Sequence, residues 1–371
     1  MDNTDMDLIC IGCGSHLQTT DKDKAGYTPK SALDKGIESG ELYCQRCFRL
    51  RHYNEIVPVE LTDDDFRRLL SQIQDTDALI VYVIDLFDFN GSLIPGLHRF
   101  VGDNPVMIVG NKEDIFPKSI KRSKMKEWVK QQAHANGLRP IDVQLTSAKN
   151  NHQVEELLHQ IERYRKGRDV YVVGVTNVGK STLINQMIKM QNGVDNVITT
   201  SRFPGTTLDR IEIPFDEHSN LIDTPGIIHN DQMAHVLAAQ DLKYIAPQKT
   251  IKPKVFQLND NQTLFMGALA RFDYTNSVGP VTTYFENNLN IHRTKLSNAD
   301  DFYDRHAGEL LVPPTAENFK DLPELVSHSF RTERKTDVVF EGLGWITVHG
   351  GASITAWAPK GISVITRPAL I

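Results

Sequence analysis

No apolar run in this sequence approaches the roughly 18–20 residues that span a bilayer. The best of them, Ala78–Ile84, stops at Asp85, so no membrane partner is expected. A basic excess is missing as well: 41 Lys and Arg stand against 47 Asp and Glu, a net charge of −6. That excludes a global field for nucleic acid and leaves only local patches for RNA contact, with no DNA partner expected. The first seven residues, Met1–Asp7, are acidic and match neither a signal peptide nor an Arg-rich transit peptide, which points to the cytoplasm. Cysteine is scarce. All four lie within the first 50 of 371 residues, which argues for a reducing compartment and a local use of the thiols. Internal repeats and low-complexity tracts are absent. What remains is an ordinary composition, 40% hydrophobic and 24% charged, with length for two or three domains.

The cysteines form two knuckles, Cys10-Ile-Gly-Cys13 and Cys44-Gln-Arg-Cys47. Each knuckle offers two sulfurs from a tight turn, and two knuckles complete a four-thiolate structural zinc site. The polar segment between them has too few apolar residues to fold without such a staple. A redox pair would instead need one knuckle opening a helix in a βαβ unit, a context that is missing here. Around the second knuckle, Arg46-Cys-Phe-Arg-Leu-Arg-His-Tyr53 alternates basic and aromatic residues. Such a stretch suits RNA backbone and base stacking, or else an ordinary solvated face with core aromatics.

The strongest signal lies mid-chain. Asp169–Val173 reads as a buried strand, Ser181–Ile188 as a helix, and Gly174-Val-Thr-Asn-Val-Gly-Lys-Ser181 joins them. In that context the pattern is a phosphate-binding loop. Backbone N–H groups of Gly174, Thr176, Asn177, Val178, Gly179 and the first helical turn through Thr182 cradle the phosphates. Lys180 supplies charge to the β- and γ-phosphates, and Ser181 a hydroxyl to Mg²⁺.

Upstream, strands at 78–84, 105–109 and 141–145 alternate with helices predicted at Leu61–Leu70, 92–101, 120–136 and 152–164. The alternation predicts an α/β fold, a parallel sheet with helices on both faces. The second strand ends in Asn111-Lys112-Glu-Asp114, the guanine-reading motif of GTPases. The Asp114 carboxylate can accept both N1–H and the 2-amino group of guanine. Asn111 reaches N7 or a neighbouring loop, and the Lys112 stem covers the base. The third strand runs into Ser147-Ala148-Lys149, where the Ala148 N–H would meet guanine O6. Downstream, Phe203–Asp209 is a switch-I candidate whose Thr207, or alternatively Thr206, completes the Mg²⁺ shell. Asn220-Leu-Ile-Asp-Thr-Pro-Gly226 follows: Asp223 would hold Mg²⁺ through water, and the Gly226 N–H would sense the γ-phosphate. Lys180, Thr207, Gly226 and Asn177 are the candidate catalytic residues.

The order of these motifs is unusual. GTPases ordinarily place the phosphate loop first and Asn-Lys-x-Asp and Ser-Ala-Lys last, whereas here the last two come first. Relocated termini leave the contacts of a sheet intact when the old ends lie close together. With its knuckles, Cys-Gln-Arg-Cys-Phe-Arg-Leu and Asp-Phe-Asn-Gly-Ser, the chain resembles the circularly permuted GTPases of the ribosome-assembly class, over essentially its whole length. The resemblance implies a GTP- and GDP-binding switch that assists maturation of the small (30S) ribosomal subunit through that subunit or its rRNA. It also implies a K⁺ ion held by Asn177 against the phosphates; an Asx turn is the plainer role for that residue. A glutamine often follows Asp-x-x-Gly to orient the attacking water, but Ile227 stands there, so slow hydrolysis is expected.

Three domains are expected: residues 1–56 around zinc, 57–230 as the permuted GTPase, and 231–371 as a binding module. Residues 231–250 look helical. Beyond them, short runs such as Thr263–Met266, Ile354–Trp357 and Ile362–Thr366, punctuated by Gly and Pro, predict an antiparallel β domain. Arg331, Arg334, Lys335, Lys360 and Arg367 are candidates for a weak basic surface, or for an ordinary solvated one. The non-ribosomal alternatives are a GTPase with another client and a zinc-containing RNA-binding scaffold whose nucleotide is mainly structural.

Overall fold

The computed structural model describes residues 8–11, 15–22, 24, 26–53, 71–191, 211–216, 218–224, 226, 229 and 231–371. Cys13, the helix expected at Leu61–Leu70, the switch-I candidates Thr206 and Thr207, and Ile227 lie outside the described residues. Two compact units divide the chain. Met1–Leu86, Ser92–Glu113 and Lys126–Ile228 form the first; Phe87–Gly91, Asp114–Met125 and His229–Ile371 form the second.

The first unit is built on a six-stranded sheet. In chain order its strands are β1 (Ala78–Asp85), β2 (Val106–Asn111), β3 (Asp142–Leu145), β4 (Asp169–Val173), β5 (Ile211–Pro214) and β6 (Asn220–Asp223). Their spatial order is β3-β2-β1-β4-β6-β5. Every pairing is parallel except the outer β5–β6 pair, an antiparallel edge that the expectation of a wholly parallel sheet did not include. All eight residues of β1 are buried, as an unbroken apolar run at the centre of a doubly covered sheet requires. Register places the motifs at one end: Asp85 pairs with Asn111, Gly110 with Leu145, and Val172 with Asp223. The carboxyl ends of parallel strands are where open α/β sheets bind ligands.

The helices Arg122–Ala135, Asn151–Arg165 and Lys180–Gln191 stand where periodicity places them. Asn150 caps the second through a hydrogen bond from the Gln153 N–H to its side chain (3.3 Å). The helix expected at 92–101 shrinks to Leu97–Phe100. Pro95 removes a donor, and Gly96, at φ 71°, starts the turn from a left-handed conformation.

The second unit holds two five-stranded antiparallel sheets. Strands β7 (Lys254–Leu258), β8 (Gln262–Met266), β9 (Ala270–Thr275), β10 (Gly279–Phe285), β11 (Ile291–Lys295), β12 (Leu325–Arg331), β13 (Thr336–Phe340), β14 (Gly344–Val348), β15 (Ser353–Pro359) and β16 (Val364–Pro368) build them. Their orders are β16-β13-β14-β10-β7 and β11-β8-β9-β15-β12. Inward-facing residues such as Leu264, Phe272, Phe340, Ile346 and Ile354 form one core, which is why single faces of these strands read as apolar.

Two expectations fail in this unit. Residues 231–250 hold only the short 3₁₀ turns Met233–Val236 and Leu242–Tyr244. Tertiary bonds claim the backbone and side chains instead: the Met233 N–H donates to the Glu341 carbonyl (3.0 Å), and Gln232 Nε2 to the Gly91 carbonyl (2.7 Å). Arg367 is no surface charge. It is buried, its guanidinium 5.1 Å above the Trp345 ring, and its Nη1 donates to Asn90 Oδ1 at 2.7 Å. Arg331, Arg334, Lys335 and Lys360 are exposed.

Candidate nucleotide site and metal cluster

The phosphate-loop sequence is shaped by close backbone approach. A Cβ on Gly174 would stand 2.7 Å from the Val83 carbonyl oxygen, inside contact distance, so the loop can leave β4 against β1 only through glycine. Asn177 and Gly179 take left-handed conformations, φ 63° and 86°. Asparagine is among the few non-glycine residues that do so at low cost. Lys180 opens the following helix. Its ammonium is buried and donates to the Asp223 carboxylate and the Thr224 carbonyl. Thr224 in turn donates to the Val172 carbonyl (2.9 Å), fixing the end of β6 to β4. Gly226 returns to the loop, where a Cβ would lie 3.1 Å from the Thr176 backbone nitrogen.

Asn111 joins the base side to the phosphate side. It is 1% exposed. Its Nδ2 donates to the Val178 carbonyl (2.8 Å), and its Oδ1 accepts the Ala148 N–H (3.2 Å). One side chain therefore ties the phosphate loop to the Ser-Ala-Lys loop. Lys112, at φ 64°, reaches the Asn177 carbonyl (2.8 Å) and Asp85 (2.6 Å). The Ser147 N–H donates to Gln153 Oε1 (2.9 Å), Gln153 Nε2 to Glu113 (3.0 Å), and the Lys149 N–H to Ser147 Oγ (3.3 Å). Asp85, Glu113 and Gln153 were not among the site residues expected from sequence. The available signal was a carboxylate ending a wholly apolar strand in register with Asn111. In the second unit, Asp114 is exposed, and its backbone carbonyl accepts from Thr250 Oγ1 at 3.0 Å.

At the N-terminus, Cys10, Cys44 and Cys47 are buried, and their sulfurs lie within 4.8 Å of one another. The Cys44 N–H donates to Cys10 Sγ (3.2 Å) and the Cys47 N–H to Cys44 Sγ (3.5 Å). Tetrahedral metal–sulfur bonds of ~2.3 Å put the corners about 3.8 Å apart, so three convergent thiols with N–H donors fit a metal. Arg46, between two of them, is buried rather than part of a solvated basic face.

This constellation meets its counterpart in known sequences. YqeH of Bacillus subtilis (strain 168) is 54% identical over 367 residues, 98% of this chain and 99% of that protein. The chain belongs to the YqeH family of circularly permuted GTPases. Family matches cover the YqeH-like C-terminal region at residues 279–370 and a 50S ribosome-binding GTPase region at residues 169–265. A rice protein named putative nitric oxide synthase is 30% identical over 97% of this chain and 77% of its own. NO-associated protein 1 of Arabidopsis thaliana is 31% identical over 92% and 69%. Among solved structures, GNP-bound YlqF from T. maritima matches 49% of this chain and 66% of its own at 23% identity and a TM-score of 0.31. That likeness is too partial to carry weight. As a GTPase of this family, the chain uses GTP, GDP and Mg²⁺, and its own permuted motif order follows the chain order of β2, β3 and β4.

Proposed function

We propose that this YqeH-family GTPase is a slow, K⁺-stimulated switch that assists assembly of the small ribosomal subunit in the cytoplasm, through contact with that subunit or its rRNA. The observation that carries the nucleotide half is the Asn111 bridge between the phosphate loop and the Ser-Ala-Lys loop. A bridge of that kind holds the two loops in one register before nucleotide binds. Asp114 accepts the guanine donors; Lys112, Ala148 and the Ser147 and Lys149 backbone frame the base. Ser181, Asp223 and Thr207, or alternatively Thr206, would hold Mg²⁺, which would supply charge neutralisation for phosphoryl transfer. Lys180 exchanges its present partners for the phosphates. Gly226 lies against Thr176 of the phosphate loop, which supports its N–H as the sensor of a γ-phosphate. Asn177 keeps its side chain exposed for K⁺ while Lys112 fixes its carbonyl. Without a glutamine at Ile227, hydrolysis rests on positioning and charge alone. Cys10, Cys13, Cys44 and Cys47 hold zinc, and residues 1–56, 57–230 and 231–371 act as zinc module, GTPase and β-rich binding module.

The match described as a 50S ribosome-binding GTPase favours a second partner, the large subunit. Sedimentation with purified 30S and 50S subunits separates the two, run with a non-hydrolysable GTP analogue, with GDP and without nucleotide. Nucleotide-dependent cosedimentation with 30S alone is the expected result. Binding confined to 50S would move the partner. Nucleotide-independent binding of free RNA would favour the scaffold alternative.

A further inference from the structure

We propose that Asp85 is a further positioning residue of the nucleotide site: its carboxylate holds the Lys112 ammonium against the Asn177 carbonyl of the phosphate loop. All three residues lie in the first unit. This role goes beyond the nucleotide motifs and rests on the reading of Gly174–Ser181 as the phosphate loop. The end of β2 grips that loop at two consecutive carbonyls. Asn111 Nδ2 donates to the Val178 carbonyl (2.8 Å), and Lys112 Nζ donates to the Asn177 carbonyl (2.8 Å).

The two grips are secured differently. Asn111 has a short side chain, and its Oδ1 is fixed by the Ala148 N–H (3.2 Å). Lys112 carries its ammonium on a flexible four-carbon stem, so a lone neutral carbonyl sets its place poorly. Asp85 Oδ2, 2.6 Å from Lys112 Nζ, supplies a second, charged partner. A charge-assisted bond of that kind is stronger than the neutral one beside it. Register accounts for the meeting: Asp85 pairs with Asn111 across β1 and β2, and Lys112 is the next residue along. The Asp85 backbone is held in turn. Its N–H donates to Ser92 Oγ (3.0 Å). Tyr82 fastens the same segment, its hydroxyl donating to the Ser92 carbonyl (2.8 Å) and accepting the Ile94 N–H (2.8 Å). Both ends of the second grip are strained. Lys112 and Asn177 stand in the left-handed region, φ 64° and 63°. Lysine visits that region rarely, and such a conformation persists only where its surroundings over-determine it. The chain of contacts from Asp85 through Lys112 to Asn177 joins the two strained residues directly. The Lys112 side chain is 35% exposed, so without the Asp85 charge its stem can turn to solvent. The phosphate loop then meets its ligand with one grip in place of two, and ordering it costs affinity.

The test measures GDP dissociation constants of the full chain in Mg²⁺ around a double-mutant cycle. Asp85→Asn should weaken GDP by about 3- to 10-fold, a charged hydrogen bond discounted for the partial exposure of Lys112. Lys112→Met, which keeps an unbranched stem and removes the ammonium, should weaken it by at least as much. In the Lys112→Met background Asp85→Asn should cause no further loss, because the carboxylate no longer has a group to position. Asp85→Glu keeps the charge and should restore most of the wild-type affinity. Turnover at saturating GTP should be nearly unchanged in Asp85→Asn, since the clasp acts on binding rather than on the chemical step. An Asp85→Asn loss that is as large without the Lys112 ammonium as with it, through misfolding or through another role of the carboxylate, refutes the positioning role. GDP affinity equal to wild type in Asp85→Asn refutes it as well. Lys180→Ala separates the underlying reading: if it leaves GDP affinity unchanged, Gly174–Ser181 is not the phosphate loop and the role of Asp85 falls with it.

Discussion

Lys180 is engaged by protein groups at both the Asp223 carboxylate and the Thr224 carbonyl. Its ammonium and the Asp223 carboxylate are 7% and 3% exposed as residues, and they are bound to each other. Replacing Asp223 with Asn keeps the shape and one acceptor oxygen but leaves a buried charge without its counter-charge. Removing one partner of a buried pair costs about 3–5 kcal/mol, and the retained acceptor with the Thr224 carbonyl reduces this to about 2–3. For a unit of this size, roughly 2–4 °C per kcal/mol gives a melting point lower by about 5–10 °C. GDP in EDTA should close most of that gap, because phosphate replaces the lost carboxylate. Nucleotide at about 100 times its Kd adds ~2.7 kcal/mol, and wild type must give up its Lys180–Asp223 pair to gain it. Mg²⁺ should reopen the gap, since Asp223 belongs to the proposed magnesium shell. Calorimetry on the transition that moves with GDP reads all three states. An identical difference between wild type and Asp223→Asn in every state, or none without nucleotide, would refute the exchange of partners.

Other outcomes follow from the same structure. Asp114→Asn should weaken GTP by about 10- to 100-fold and make a xanthine nucleotide the better ligand, measured by competition binding. Zinc should be present at one equivalent per freshly purified chain, and Cys44→Ser should lose it while GDP binding survives; a metal-free chain carrying a disulfide would overturn the site. Hydrolysis should run faster in K⁺ than in Na⁺ at equal ionic strength, with Asn177→Ala removing the difference, since both salts screen alike. Glu341 is buried, and that burial, with the charges of Asp231 and Asp88 beside it, pushes its carboxyl up to about 8 from 4.5. The folded state then keeps a proton that the unfolded chain releases, so stability falls between about pH 4.5 and 8. Glu341→Gln should flatten that slope, raising the melting point at pH 8 and leaving it nearly unchanged at pH 5.

The nucleotide motifs were legible because each is a local demand of the backbone. Gly174 is glycine because a β1 carbonyl stands behind it, and Asn177 sits where φ is positive. The permutation was legible because motif order needs no three-dimensional information. The antiparallel strands of the second unit announced themselves by short β-rich runs punctuated by Gly and Pro. What failed depended on distant partners. Residues 231–250 have helical composition, but Gln232 and Met233 are claimed by Gly91 and Glu341. Arg367 reads as a surface cation, yet Asn90 and the Trp345 face lie 277 and 22 positions away in sequence and take it inside. The packing of Phe87–Gly91 and Asp114–Met125 with the C-terminal strands was invisible for the same reason. Each short segment looks like an ordinary GTPase loop.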